Sequence, residues 1–326
     1  ILSGIKKLGF TILLLLLIQL VFAQQDETKV LAINFICASC EGGGGSGGGG
    51  LPPITCTGQR DTVFVDQVSG NNLSGSGRSW AGAVKTLQRG LAIASTCEEV
   101  KYIFVAEGDY TASTTSGTEA ARDYSFAVGR SISIQGGFPT GGGTRDFVNN
   151  ITILNGEIQD LYEAYHVMVI YGTNATVSID GFQFTNGFAD GTGSVDLGSV
   201  TMARNVGAAL YIRDAANVNI KNCVFYTNVS SNVGGAIYAN NSNLRLENCV
   251  FVNNISGNNA GAIYLNNLGT AIITNCTLYN NLRLGGGEAV YNTTGTTLTM
   301  KNSIIWGNTV AFGGGGNRNV SYSLLP

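Results

Sequence analysis

GAIYANNSNLRLENCVFVNN, residues 235–254, is followed by GAIYLNNLGTAIITNCTLYNN, residues 261–281, and the two strings align along their whole length with one extra residue in the second. GAALYIRDAANVNIKNCVFYTN at 207–228 and EAVYNTTGTTLTMKNSIIWGN at 288–308 extend the pattern on either side. Tyr211, Tyr238, Tyr264 and Tyr291 recur every 26 or 27 positions, as do Phe225, Phe251, Leu278 and Ile305, and Asn228, Asn254, Asn281 and Asn308. A further register reads Cys223, Cys249, Cys276, then Ser303. One unit is copied four times, and a period of this length marks a stacked-repeat architecture.

The internal period decides what the unit is. Leu244 and Leu246 alternate with Arg245 and Glu247, and Ala271 and Ile273 alternate in the same way, which is the spacing of strands. Gly and Asn turns interrupt the runs, and no ten-residue helical stripe or LxxLxLxxN spacing is present, so helical and leucine-rich repeats are excluded. The chain therefore reads as all-β, a single-stranded parallel solenoid whose rungs rise about 4.8 Å each. Like residues lie over like residues, because a misfit leaves a void or a clash. Phe225, Phe251, Leu278 and Ile305 are expected inside the bore with Cys223, Cys249 and Cys276 beside them, and three stacked thiols cannot all pair. Val224, Val250, Thr277 and Ile304 fall on the opposite pleat. Asn228, Asn254, Asn281 and Asn308 are assigned to corners, where Asn tolerates left-handed backbone and stacked amides bond along the axis.

FYTN at 225–228, FVNN at 251–254 and GGAI at 234–237 resemble the repeats of chlamydial polymorphic outer-membrane proteins. TILNGEI at 152–158, YHVMVI at 165–170, IDGFQFTNG at 179–187 and NSIIWGN at 302–308 are similar to secreted right-handed β-helix proteins of Gram-negative bacteria, especially Bacteroidetes. The resemblance covers residues 60–326. It implies a right-handed coil, surface display and an adhesin-like role, with a C-terminal barrel or sorting domain expected beyond SYSLLP.

Upstream, Lys6 and Lys7 precede an apolar run over 8–23 that ends in Val21, Phe22 and Ala23, the pattern of a cleaved secretory leader over 1–23. A retained membrane helix is the competing reading, against which the run is short and no positive cluster follows it. Residues 24–54, which contain EGGGGSGGGG, read as a flexible spacer, and 55–326 as one β-helix domain with its N-terminal cap at 60–100 and regular rungs over 207–308. Cys37, Cys40, Cys56 and Cys97 flank or follow the spacer, and an oxidising compartment makes disulfides expected while leaving their connectivity open. Within the cap, residues 79–94 are predicted as an amphipathic helix with Trp80, Val84, Leu87, Leu91 and Ala94 on one face, plugging the open first rung. FADGTGSVDLGSVTMARN at 188–205 breaks the period and is expected to stand out from the shaft as a loop.

Composition narrows the function. With a net charge of −3 and no basic stripe, nucleic acid and anionic lipid are poor partners, and any membrane contact is expected only through a C-terminal anchor. The 46 Gly and 44% apolar content fit turns and a packed bore rather than a disordered chain. A monomer is expected. A polysaccharide lyase or glycoside hydrolase needs converging carboxylates, or an acidic calcium cluster with a base. Asp190, Asp196, Asp214 and Arg213 are the candidates, with Asp180 and Arg204 nearby, at no recognised spacing; calcium is the cofactor that a lyase would require, and otherwise none is expected. His166, the single histidine, lies in a strand-like run and reads as structural. The lack of converging groups makes a non-catalytic binding or display module for a polysaccharide or a cell-surface glycoprotein the expected function, with Tyr211, Tyr238, Tyr264 and Tyr291 as its surface and Tyr226, Tyr279 and Trp306 as an extension, and the lyase or hydrolase the alternative. A plain spacer is the third reading.

Overall fold

A computed structural model describes residues 51–112, 122–159, 162–197, 200–267, 269–284 and 287–325. The leader, the glycine-rich spacer, Cys37 and Cys40 lie outside the described residues. Each regular coil visits four sheets. Asn217–Lys221 belongs to a first sheet, Val224–Tyr226 to a second, Val229–Ser230 to a narrow third and Ile237–Asn240 to a fourth, after which Asn243–Glu247 re-enters the first. Among the described residues the first sheet has nine parallel strands, the second and fourth seven each and the third four. The coil is a parallel β-helix.

The corners follow from single left-handed residues. Asn222, Asn248, Asn275 and Asn302, with φ from 49° to 55°, turn the chain from the first sheet to the second. Thr227, Asn253, Asn280 and Gly307, with φ from 52° to 70°, turn it from the second towards the third. Asn reaches this region at low cost because its short amide bonds locally. The register expected at the corners, Asn228 to Asn308, is one residue later and is not left-handed. It is buried, and its amides form an axial chain: Asn228 Nδ2 donates to Asn254 Oδ1 at 3.0 Å and Asn254 Nδ2 to Asn281 Oδ1 at 2.8 Å. The left-handed turn before each of these residues swings its side chain into the bore.

The bore is filled as stacking requires. Phe184, Phe225 and Phe251 lie ring on ring at 4.7 Å with interplanar angles of 8° and 3°, which matches one rung of rise. Val218, Leu244, Ala271 and Leu298, and beside them Ile220, Leu246, Ile273 and Met300, continue the apolar filling from the first sheet. Cys223, Cys249 and Cys276 are buried free thiols, each donating to the carbonyl two residues earlier, as Ser303 Oγ does at 2.8 Å to Lys301. Burial pushes the Cys223 thiol up to about 12, so it stays protonated and unreactive.

The N-terminal plug is shorter than its sequence pattern suggests. The α-helix is Leu87–Thr96, preceded by a separate turn at Trp80–Gly82. Val84 N–H donates to the Phe64 carbonyl at 3.0 Å and Asp66 N–H to the Val84 carbonyl at 2.9 Å, so this segment is taken by the first strand and stays extended. Helix growth then starts at Thr86, whose hydroxyl accepts from the Arg89 N–H at 3.2 Å. Trp80 turns to the outer face instead, 5.0 Å from Phe64 and 5.3 Å from Phe138. Gly90 lets the helix approach the first strand, since a Cβ there would meet Val65 Cγ2 at 2.7 Å. Arg130 gathers the carbonyls of Ala94, Cys97 and Val100 at the helix end. A Cys56–Cys97 disulfide closes a 41-residue separation across the cap, worth roughly 4 kcal/mol on loop-entropy grounds. Arg89 Nη2 donates to the Pro52 carbonyl at 2.6 Å and Ile54 packs on the core, so residues 52–54, read as spacer from the sequence, already lie against the cap.

Candidate functional site

Along the fourth sheet, alternation sends Ile237 and Ala239 inward and Tyr238 and Asn240 outward. Tyr211, Tyr238, Tyr264 and Tyr291 are therefore on the outer side of the wall, paired rung to rung. Tyr238 stacks on Tyr264 at 5.8 Å and 11°, and Tyr264 on Tyr291 at 5.0 Å and 6°. Gly234 sits under the ladder with φ 66°, where a Cβ would lie 2.3 Å from the Ile237 carbonyl oxygen, so the glycine in GGAI is a requirement of the backbone.

The period-breaking insertion does not stand out as a loop. It forms an antiparallel hairpin, Ser194–Asp196 with Thr201–Ala203, laid over this face. Val195, Leu197, Val200 and Met202 are buried against Val169, Tyr211 and Val233, leaving Tyr211 2% exposed while Tyr238 and Tyr264 pack at the edge. The alternation Val195, Leu197 on one strand and Val200, Met202 on the other gives the hairpin an apolar side, and burial of that side is what holds it down.

The candidate charges are held in pairs. Arg122 binds Asp190, and also donates to the carbonyls of Glu163 at 2.8 Å and Phe188 at 2.9 Å. Arg204 grips both oxygens of Asp123 at 2.7 Å. Tyr165 lies between the two guanidiniums, 4.1 Å from that of Arg122 and 5.7 Å from that of Arg204. These carboxylates and guanidiniums are largely buried, in contrast with the exposed loop charges that the insertion suggested. Such pairs fix a segment in place more than they add net stability. Arg213 meets Asp214 at 3.3 Å and donates to the Thr201 carbonyl at 2.7 Å, while Arg145 holds Asp180 at 2.8 Å. Asp196 is on the exposed side of the hairpin. Among the described residues, the group of His, Cys, Asp and Glu side chains near enough to share an ion is Cys56, Cys97 and Glu99, of which the cysteines form the disulfide.

Arg122, Asp123 and Tyr165 were not legible as site residues. All three stand outside the four-copy repeat, Arg122 and Asp123 68 and 81 residues from Asp190 and Arg204, and no spacing rule joins them.

His166 is buried behind the same face, with Nδ1 3.0 Å from the Gly207 carbonyl oxygen and its ring 5.1 Å from Tyr211. Burial outweighs the carbonyls of Gly207 and Ala203 and lowers its pKa to about 4, so it is neutral at pH 7. An unfolded histidine titrates near 6.5, so from about pH 6.5 down to 4 the unfolded chain binds the proton first. This group alone should remove about 3 kcal/mol of stability as the pH falls through that window, with no further loss from it below. Urea unfolding of H166Q beside the parent at pH 7.5, 6 and 5 is expected to show a flatter pH dependence in the variant. Parallel curves would place the titration elsewhere.

Residues 166–323 match the family model for the right handed beta helix region. The right-handed β-helix accordingly spans the regular rungs and the insertion, and with the earlier coils and the capping helix it makes the described chain an all-β parallel β-helix. No curated protein matches the chain.

Proposed function

We propose that this right-handed β-helix protein is an exported, non-catalytic surface protein that holds a glycan or a cell-surface glycoprotein, adhesin-like, in the manner of the Bacteroidetes and chlamydial proteins that its repeats resemble. The observation that carries this reading is the engagement of the acidic side chains around the fourth sheet. Asp190, Asp123 and Asp214 each face an arginine, as does Asp180 at the end of a first-sheet strand. A hydrolase needs two carboxylates turned to one bond, and a lyase needs a free base beside acidic calcium ligands. Carboxylates neutralised by guanidiniums serve neither role well. A weakly charged shaft with outward aromatic side chains suits reversible contact with a polymer instead.

The full chain, mixed with polygalacturonate, xylan and β-1,4-glucan with and without calcium, is expected to be retarded in affinity electrophoresis by at least one polymer while releasing no reducing ends. Calcium-dependent appearance of reducing ends or of unsaturated uronides would overturn the non-catalytic reading in favour of a pectate-lyase-like enzyme.

A further inference from the structure

The outer face of the second sheet carries two columns of side chains pointing away from the bore. Val224, Val250, Thr277 and Ile304 form one, and Tyr226, Val252, Tyr279 and Trp306 the other. Tyr279 and Trp306 are 48% and 53% exposed, and Val250 and Ile304 are 37% and 42% exposed. No charge interrupts either column. An amide ladder borders the first, with Asn248 Nδ2 donating to Asn222 Oδ1 at 3.3 Å and Asn275 Nδ2 to Asn248 Oδ1 at 3.1 Å. Asn253 and Asn280, joined at 2.7 Å, border the second. Towards the N-terminus the stripe runs into a pocket of about 360 Å³ walled by Phe147, Val148 and Ile151 and floored by Gln183 and Val224.

We infer that this face, rather than the tyrosine ladder, is a groove for an uncharged, extended polysaccharide lying along the shaft axis. The inference rests on the glycan-binding reading above and gives it a location and a ligand class. Sugars pack against the face of an aromatic ring. In the tyrosine ladder those faces are turned to one another along the axis, and Tyr211 is covered by the hairpin. Tyr226 and Tyr279 stand two rungs apart, about 9.6 Å, close to the length of one disaccharide in an extended β-1,4-linked chain. Asn248, Asn275 and Asn280 each donate through Nδ2 to the asparagine one rung before, and an amide nitrogen carries a second N–H that can meet a sugar hydroxyl. A stripe of uncharged side chains bordered by amides complements a neutral polyol and carries no cation to pair with a uronate.

The dimensions argue against a protein partner. Four rungs by two columns cover on the order of 200 Å², whereas a stable protein interface buries about 800 Å² on each side. The Phe147 pocket would take the end of the glycan.

The test uses the full chain with soluble β-1,4-glucan, β-1,4-mannan and polygalacturonate in affinity electrophoresis. Y279A/W306A is expected to weaken binding to a neutral polymer at least about tenfold with an unchanged melting temperature, since both side chains are about half exposed. Y264F, which keeps the ladder ring in place, should bind as the parent does. Binding that survives Y279A/W306A, or that is confined to polygalacturonate, overturns this groove and leaves the broader reading standing. Binding of no glycan by the parent chain overturns both.

Discussion

Replacing Asn254 with leucine is expected to leave little or no soluble folded protein. Asn254 is fully buried in the middle of the axial amide chain. Its Oδ1 accepts from the Asn228 backbone N–H at 3.1 Å and from Asn228 Nδ2 at 3.0 Å, and its Nδ2 donates to the Phe225 carbonyl at 2.9 Å and to Asn281 Oδ1 at 2.8 Å. Leucine fills a similar volume and supplies none of these bonds, so four buried hydrogen bonds are lost together. Asn228 Nδ2 keeps the Phe184 and Tyr226 carbonyls and Asn281 Oδ1 keeps the residue-254 backbone N–H, while the Asn228 backbone N–H loses the side-chain acceptor. At about 0.5–1.5 kcal/mol for each lost bond, and more where a buried group is left unsatisfied, the loss is about 4 kcal/mol, a large share of the 5–15 kcal/mol that holds a typical domain. Soluble yield and the urea midpoint measure it. An unfolding free energy within about 1 kcal/mol of the parent's would mean that the chain of amides contributes little.

The second large effect is at Cys249. Arginine there should abolish folding, because its charge would enter the bore with no partner and with Phe225, Phe251 and Leu278 in the adjacent register. Serine should cost only about 1–3 kcal/mol. The reason is visible one and two rungs on: Ser303 stands in the same register, its Oγ donating to the Lys301 carbonyl at 2.8 Å and accepting from the Cys276 N–H at 3.1 Å. The thiol of Cys249 makes the weaker version of that bond, 3.4 Å to the Glu247 carbonyl. C249R and C249S expressed side by side separate the cases, and equal tolerance of both would put the register at the surface.

Where residues repeat, the sequence carries its own structural information. A stack forces chemistry at Phe225 to recur at Phe251, and that recurrence is readable as a period. The inward placement of the phenylalanines and cysteines, the outward placement of Val224 to Ile304 and the existence of a plug all followed from it. Where contacts join segments that do not repeat, nothing in the local pattern announces them. Residues 83–86 have helical spacing, yet Val84 is bonded to Phe64 and Asp66 and stays extended. The hairpin of the insertion reads as a projecting loop because its apolar side meets Val169, Tyr211 and Val233, positions on other coils that no local period joins to it. The pairing of Cys56 with Cys97 is likewise a property of the folded cap. The corner register was misplaced by one residue because both Asn253 and Asn254 are asparagine and only backbone geometry separates the left-handed one from the buried one.

The axial direction of the hydrogen bonds has a mechanical consequence. Strands in the four sheets of the coil pair with neighbouring rungs, and the Asn228–Asn254–Asn281 amides run the same way. A pull along the shaft therefore opens bonds in tension, one rung at a time, instead of shearing a whole sheet at once. Each rung of 26 or 27 residues that lets go pays out roughly 90 Å of chain, so a coil pulled from its end would lengthen in steps and yield gradually while the remaining rungs stay paired.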